Sequence, residues 1–276
     1  MTIAGKVESL WRYPVKSMRG EEIPQAFIGF AGVYGDRLYA IRSTASIKGF
    51  PYLTGRENAS MLQYRAIYMN PEAMAQPVNL IEASDLGSGV TPLYADEVNR
   101  LVQVETADGL IYPISDPDLL DRLYAGIDPK HKLSLIRSER ALTDCRPVSL
   151  ISLQTVQGLG SEIGLPLDKR RFRANIYLDL YPASPFGENG LLGRMVRIGS
   201  KVEVAVTQRD TRCKMITLDP DTGEATPEIM KHLANAHGSQ AGVYGSVVVE
   251  GIVKAGDEVI LIDDCHNDRN VSLPRY

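Results

Sequence analysis

The spacing of side chains near the N-terminus predicts a β-strand over residues 7–15. Successive residues of a strand point to opposite faces, so one face repeats at every second position. The residues that share the predicted buried face are Val7, Ser9, Trp11, Tyr13 and Val15. Pro14 and Gly20 then interrupt the pattern, and we expect a loop after this strand.

Short hydrophobic runs separated by turn residues continue through the rest of the chain. In the first half they predict strands at 26–30, 38–42, 78–82 and 101–105. In the second half they predict strands at 133–137, 173–180, 202–207, 243–250 and 258–262. Many short strands with regularly spaced turns are typical of β-barrels and sandwiches.

Three segments have the caps and the periodicity of amphipathic helices. Asp116 and Pro117 begin the first, which is predicted to end at residue 124. Ser152 caps the second, and Thr226 precedes the third, which ends before Gly238. Their hydrophobic stripes consist of Val156, Leu159 and Ile163, and of Ile229, Leu233 and Ala236. The predicted fold is mostly β, of the α+β class, with peripheral helices.

Length and charge restrict the class of protein. At about 150 residues per domain, 276 residues predict just under two domains. We interpret the first predicted helix together with residues 126–130 as the region that joins the two halves. The 30 basic and 34 acidic side chains give a net charge of -4, which predicts no nucleic-acid partner. No apolar run reaches the roughly 18 residues of a membrane span. We therefore expect a soluble cytoplasmic protein.

The number and spacing of the cysteines and histidines do not predict a disulfide framework or a zinc site. The three cysteines are too few for a disulfide framework, as expected in a reducing compartment. The four histidines are scattered without the spacing of zinc ligands, so we expect no zinc site. Residues 219–223 read Asp-Pro-Asp-Thr-Gly, which predicts a tight turn rather than a calcium loop.

Cys213 is the cysteine with the most suggestive surroundings. Arg209, Arg212 and Lys214 flank it just after a predicted strand. Nearby cations favour the thiolate, which is both a nucleophile and a soft ligand for a transition metal. The alternative is a small buried hydrophobic residue at a strand end.

Two other clusters have side chains suited to an anion. Lys16 and Ser17 follow the first strand, where they could contact phosphate or form a solvated loop. In the predicted strand 173–180 and the residues before it, a period of two places Arg171, Arg173 and Asn175 on one face. Such a row suits an oxyanion, because guanidinium offers forked donors, or it forms a solvated sheet edge.

Five segments, taken in order, resemble the MOSC family, the domain found at the C-terminus of molybdenum cofactor sulfurases and in amidoxime-reducing proteins. They are residues 13–17, 35–37, 171–175, 212–213 and 219–223. The resemblance covers nearly the whole chain. It implies an N-terminal β-barrel domain over 1–125 packed on a MOSC β-barrel over 126–265, with a tail at 266–276.

The resemblance also implies a binding site for the molybdenum cofactor (Mo-molybdopterin) between the two halves. Cys213 matches the family's molybdenum ligand and would be the catalytic residue. The matching cofactor-binding residues are Lys16, Ser17, Arg37, Arg173, Asn175, Thr211 and Arg212. Arg146, in the turn 144–147, is a weaker match, and the role of Cys145 stays open.

The function implied by the resemblance is an oxidoreductase that reduces small N-hydroxylated or N-oxide compounds. The residues after 262 lack the cysteine spacing of an iron–sulfur domain. Electrons would come from a separate ferredoxin, flavin or cytochrome b5 type reductase. One alternative is a carrier of the cofactor, or of sulfur as a Cys213 persulfide. Another is a β-barrel interaction module with an incidental cysteine.

Overall fold

The computed structural model describes residues 2–46, 49–81, 96–125 and 127–262 and consists mostly of strands, as predicted. The strands are β1 (Thr2–Arg12), β2 (Glu21–Ile23), β3 (Gln25–Gly29), β4 (Gly32–Val33), β5 (Tyr39–Ser43), β6 (Arg65–Tyr68), β7 (Val102–Glu105), β8 (Ile111–Pro113), β9 (Leu133–Arg137), β10 (Val148–Ser152), β11 (Ile176–Leu180), β12 (Met195–Ile198), β13 (Val202–Thr211), β14 (Gln240–Val249), β15 (Gly251–Lys254) and β16 (Glu258–Ile262). The α-helices in these ranges are α1 (Pro117–Tyr124), α2 (Leu153–Ile163) and α3 (Pro227–His237). Within the same ranges, no helix is long and apolar enough to cross a membrane.

Seven strands form a closed barrel. Their order is β11, β10, β14, β13, β12, β16 and β1, and β1 pairs again with β11. The β10–β11 pair is parallel and the other pairs are antiparallel. Closure leaves no unpaired edge in the ring, and aliphatic side chains such as Leu150, Val204 and Val243 fill its interior.

The first strand of the chain belongs to the barrel built mainly by the second half. Val7 pairs with Leu178 and lies in the barrel core, whereas Trp11 lies in a different core. The prediction that both share one face is therefore wrong. The physical reason is a register shift in β1 between Val7 and Ser9, because a β-bulge inverts the alternation of side chains beyond it.

A second core lies beneath the smaller sheets of the first half. Two sheets surround it, namely β5 with β9, and β6 with β7 and β8. Met18, Ile41 and Leu53 are buried in this core, and α1 contributes Leu119 and Leu123. The third small sheet, β3 with β4 and β15, packs instead on the barrel core, to which it contributes side chains such as Ala26 and Val253. Because β9 and β15 come from the second half of the chain, the two halves share strands.

Helices α2 and α3 cover the outside of the barrel through a third core. Leu159 of α2 and Leu233 of α3 are fully buried against Trp11 and Tyr177 of the barrel. Ser152 caps α2 by accepting a hydrogen bond from the Thr155 amide at 3.1 Å, as predicted.

Two further predicted strands are wrong in whole or in part. In the strand predicted at 78–82, residues 78 and 79 lie in a turn, residues 80 and 81 are helical, and residue 82 lies outside the described ranges. The strand predicted at 173–180 begins only at Ile176, because Lys169–Phe172 forms a 3-10 helix and Arg173 ends it in a left-handed conformation. Arg171, Arg173 and Asn175 therefore do not form a row on one strand face. The predicted tail, 266–276, lies outside the described residues.

Candidate functional site

A pocket of about 270 Å³ lies where the loops after β1, before β5, before β10 and after β13 meet the 3-10 helix that precedes β11. Every site residue predicted from the sequence lines this pocket. They are Lys16, Ser17, Arg37, Arg146, Arg173, Asn175, Thr211, Arg212 and Cys213. The tertiary structure thus brings together five segments that are far apart in the sequence.

The lining is strongly basic although the chain is acidic overall. Its basic residues are Lys16, Arg37, Arg56, Arg146, Arg171, Arg173 and Arg212. Its acidic residues are Asp144 and Asp210. An excess of seven cations over two carboxylates, in a protein of net charge -4, makes this pocket suited to an anionic ligand.

Backbone strain is concentrated at the same place. Ser17, Arg37 and Arg173 have positive φ angles of 67°, 47° and 50°, a conformation that costs a non-glycine residue free energy. Such residues cluster at functional sites, where the surrounding structure holds them in place. Here the Arg37 amide donates to the Tyr13 carbonyl at 2.6 Å.

Arg37 and Arg173 lie against a common aromatic ring. Their guanidinium carbons are 4.5 and 4.4 Å from the centroid of the Tyr13 ring. Burial opposes the charge on Arg37, but its ion pair with the fully buried Asp36 holds the Arg37 pKa above its ordinary value. Burial, together with the charge of Arg37, lowers the pKa of Arg173 to about 10. Both side chains are therefore cationic at neutral pH, and a bound anion would relieve their repulsion.

Lys16 is buried but not isolated. Its ammonium group donates to the Leu142 carbonyl at 2.7 Å and forms a short ion pair with Asp144. It also lies 5.1 Å and 4.9 Å from the ring centroids of Phe50 and Tyr52. Burial lowers the pKa of Lys16, and Asp144 partly offsets that effect.

Two predicted binding residues serve the scaffold. The Asn175 amide oxygen accepts from the Ser149 hydroxyl at 3.1 Å, and its nitrogen donates to the Trp11 carbonyl at 3.4 Å. Arg212 donates to the carbonyls of Phe172 at 2.6 Å and Ala241 at 2.7 Å. These bonds tie the pocket wall to the barrel and leave fewer donors for a ligand.

A buried carboxyl group, Asp210, pairs with Arg212 at the pocket wall. Arg212 Nη2 and Asp210 Oδ2 are 2.8 Å apart, yet both atoms lack a well-aligned hydrogen bond. Burial raises the pKa of Asp210 to about 6, although Arg212 opposes the shift. Asp210 can therefore gain or lose a proton near neutral pH.

Cys213 is partly exposed and is the N-cap residue, directly before the 3-10 helix Lys214–Thr217. Of its three flanking cations only Arg212 lines the pocket, and Arg209 instead donates to the Gln240 side chain at 3.2 Å. Cys145 lines the same pocket and is exposed; its sulfur accepts from Gln208 at 2.8 Å. The pocket thus contains two free thiols.

The turn at 219–223 braces the loop that carries Cys213. Asp219 accepts hydrogen bonds from the amides of Asp221 at 2.9 Å and Thr222 at 3.0 Å, as expected for a tight turn. Its other oxygen accepts from Arg171 at 2.9 Å. Arg171, whose buried Nε lacks a partner, therefore connects this turn to the pocket lining.

Several lining residues were missed by sequence reasoning. The most consequential are Asp144, Asp210 and Tyr244, with Phe50 and Arg56 from a loop of the first half. Asp210 could have been noticed as an acid between Arg209 and Arg212, just before Cys213. Nothing in the sequence marks Phe50 or Tyr244, because their place in the pocket depends on the packing of distant loops.

The fold and the pocket define a β-barrel protein with a basic, thiol-containing site shared by its two halves. Comparison with known families agrees with this class. Residues 4–75 match the MOSC N-terminal beta barrel domain, and residues 137–260 match the MOSC domain. The chain is therefore a MOSC domain protein, of a family linked to the molybdenum cofactor.

Individual relatives add little to this assignment. The SAGA complex subunit HFI1 of Saccharomyces cerevisiae is 32% identical over 240 residues, which make up 86% of this chain but only 44% of that protein. The YuaD protein of Bacillus subtilis has a TM-score of 0.47 at 12% identity, covering 93% of this chain and 94% of its own. YiiM of Escherichia coli has a TM-score of 0.33 at 19% identity, covering 43% and 55%. Because both TM-scores are below 0.5, neither structure bears on function here.

Proposed function

We propose that the pocket binds the molybdenum cofactor and that the protein is an oxidoreductase that reduces N-hydroxylated or N-oxide compounds. One observation carries the proposal: nine residues matched to the family's cofactor site line a single pocket in which basic residues outnumber acidic ones, seven to two. The phosphate of a pterin cofactor needs several cations, and a metal centre needs a soft ligand such as the Cys213 thiolate.

The donors in the pocket fit an anionic group. Within the described part of the chain Arg173 has no carboxylate partner, and it donates to the Met18 carbonyl at 2.8 Å. Arg171 has a buried Nε without a partner. Buried donors of this kind are costly unless a ligand satisfies them. Lys16, Arg37 and Arg173 would hold the phosphate, with Ser17 and Thr211 as hydroxyl donors.

The chain's own residues would bind, orient and supply a proton. When bound, the cofactor supplies oxygen-atom transfer at molybdenum. Cys213 would hold the metal, and Arg212 and Asn175 would keep the pocket wall in place through their hydrogen bonds to the barrel. Reduction of an N–OH group to N–H with loss of water consumes two electrons and two protons. Asp210, with a pKa of about 6, can carry a proton, and the electrons would come from a separate reductase.

Metal content and turnover test this proposal together. The full chain is produced in a host that makes the cofactor, and molybdenum and pterin are measured in the wild type, Cys213→Ala, Arg173→Gln and Cys145→Ser. We expect wild type and Cys145→Ser to hold about one molybdenum per chain, and the other two to lose it. Benzamidoxime reduction with an artificial electron donor should follow metal content. Full molybdenum retention by Cys213→Ala would refute the ligand role.

A carrier of the cofactor, or of sulfur as a Cys213 persulfide, is the second candidate. The observation that favours it is the presence of two free thiols, Cys145 and Cys213, in one pocket. Metal-loaded protein without benzamidoxime turnover would establish the cofactor carrier, whereas a persulfide on Cys213 of metal-free protein, detected by mass spectrometry, would establish the sulfur carrier. A protein that takes up neither metal nor sulfur would support the interaction module.

A further inference from the structure

Two histidines of α3 and a glutamate near the end of α2 converge on the outside of the barrel. His232 Nε2 and His237 Nε2 each lie 2.7 Å from the same oxygen, Oε2 of Glu162. All three potential ligand atoms lie within 4.8 Å of one another. The expectation that the histidines lie apart from one another is therefore wrong for His232 and His237, which the fold brings together.

The sequence hides this cluster for a geometric reason. His232 and His237 are five residues apart, which places them about 140° apart around an ideal helix. They meet because His237 is the last residue of α3 and because Glu162, one residue before the end of α2, reaches both. The packing of α2 against α3 therefore creates the site.

From this geometry we propose that Glu162, His232 and His237 form a zinc site that joins the last turn of α2 to the second half of α3. Two imidazoles and one carboxylate are an established zinc ligand set, with a fourth position for water. The side chains of Glu162, His232 and His237 are 35%, 33% and 23% exposed, so an ion can enter from solvent. This proposal does not depend on the function of the pocket.

The two contacts to Glu162 require only a small adjustment, and the two imidazole nitrogens, which lie within 4.8 Å of each other, would have to reach the same spacing. Tetrahedral zinc with bonds of about 2.0–2.1 Å holds its ligand atoms about 3.3 Å apart. Each 2.7 Å contact would therefore lengthen by about 0.6 Å, which rotations of an exposed glutamate can supply. Each histidine must present a lone pair at Nε2 and carry its proton on Nδ1.

One ring is already held in place. The Phe186 and His237 rings stack with centroids 4.0 Å apart and planes inclined at 25°. Ligands fixed by their surroundings lose less entropy when they bind a metal. Helix α3 follows the turn at 219–223, which in turn follows the loop that carries Cys213. A bound ion would therefore stabilise the position of the helix that comes directly after this part of the pocket.

Zinc titration of the full chain tests the site. The background carries Cys145→Ser, Cys213→Ser, Cys265→Ser and His266→Gln, so that thiols and the tail cannot contribute. Calorimetry with zinc chloride alone should show one ion per chain, and Co²⁺ should give the visible spectrum of a tetrahedral site. Removing one ligand by Glu162→Gln or His237→Gln should weaken binding at least about tenfold, the lower end of the loss seen for supporting residues around a metal.

Two comparisons decide the outcome. Glu228 is an exposed acidic residue in the first turn of α3, the helix that carries both histidines. Replacing it in Glu228→Gln should leave zinc affinity unchanged. Glu162→Gln preserves a hydrogen-bond acceptor for the histidines but removes the charged ligand. The proposal is overturned if zinc does not bind, or if it binds equally to Glu162→Gln, His237→Gln and the background protein. The cluster would then be a surface ion pair, which contributes little to stability.

Discussion

Replacing Asp210 by Asn should make the protein more stable at neutral and alkaline pH. The Asp210 side chain is almost fully buried, and burial raises its pKa from 3.8 to about 6. The folded protein therefore binds this proton more tightly than the unfolded chain. The resulting stabilisation is fully present below a pH of about 4 and is lost as the pH rises through about 6.

The size of the effect follows from the shift. About two pKa units correspond to about 3 kcal/mol in the free energy of unfolding. The asparagine side chain in Asp210→Asn has nearly the same shape as protonated aspartate, and it does not ionise. We expect the variant to resemble the wild type near pH 4 and to exceed it by up to about 3 kcal/mol at pH 8.

Urea unfolding at several pH values measures this difference. The fluorescence of Trp11, the single tryptophan, reports on the core between the barrel and the helices. Asp144→Asn is a control whose effect on the free energy of unfolding should have the opposite sign. Desolvation raises the pKa of Asp144, but Lys16 outweighs desolvation and holds that pKa below its ordinary value. A difference between Asp210→Asn and wild type that does not change with pH would refute the reasoning. A reversed trend would mean that Arg212 outweighs burial.

Three further predictions concern the scaffold and the pocket. Gly242→Ala should destabilise the protein more than Gly238→Ala in urea unfolding, since both have positive φ but a Cβ at Gly242 would lie 2.8 Å from the Leu150 carbonyl; equal losses would contradict this. Arg37→Gln should cost about 3–5 kcal/mol at pH 7, because it leaves the buried Asp36 without its cation. The double variant with Asp36→Asn should recover part of that loss. Pyrophosphate affinity, measured by calorimetry, should rise in Asp210→Asn at pH 8 and be unchanged at a pH of about 4, where the wild-type carboxyl is already neutral.

The sequence predicted local elements well where the local signal and the tertiary contacts agree. Ser152 caps α2 and Asp116 caps α1, because capping depends only on neighbouring backbone groups. The strand pattern failed where tertiary contacts override alternation. The bulge between Val7 and Ser9 in β1 redirects later side chains, and the left-handed Arg173 ends a 3-10 helix where a strand was expected.

Some residues of the candidate site could be predicted from the sequence, and others could not. Cys213, Lys16 and Arg173 were predicted by matching family motifs, because each belongs to a short segment with a distinctive composition. Asp210 and the histidine cluster were not, since their properties depend on which groups the fold places around them. The raised pKa of Asp210 arises from burial, which its neighbours in sequence do not reveal.

By itself, the sequence determined the strand-rich class, two helix caps and the Cys213 thiol with Arg212 beside it. These follow from short-range periodicity and residue chemistry. Only the tertiary structure decided that β1 completes a barrel of the second half and that five distant segments line one pocket. It also decided that Glu162 lies between His232 and His237. The physical reason is that burial, charge pairing and ligand geometry depend on residues far apart in the chain.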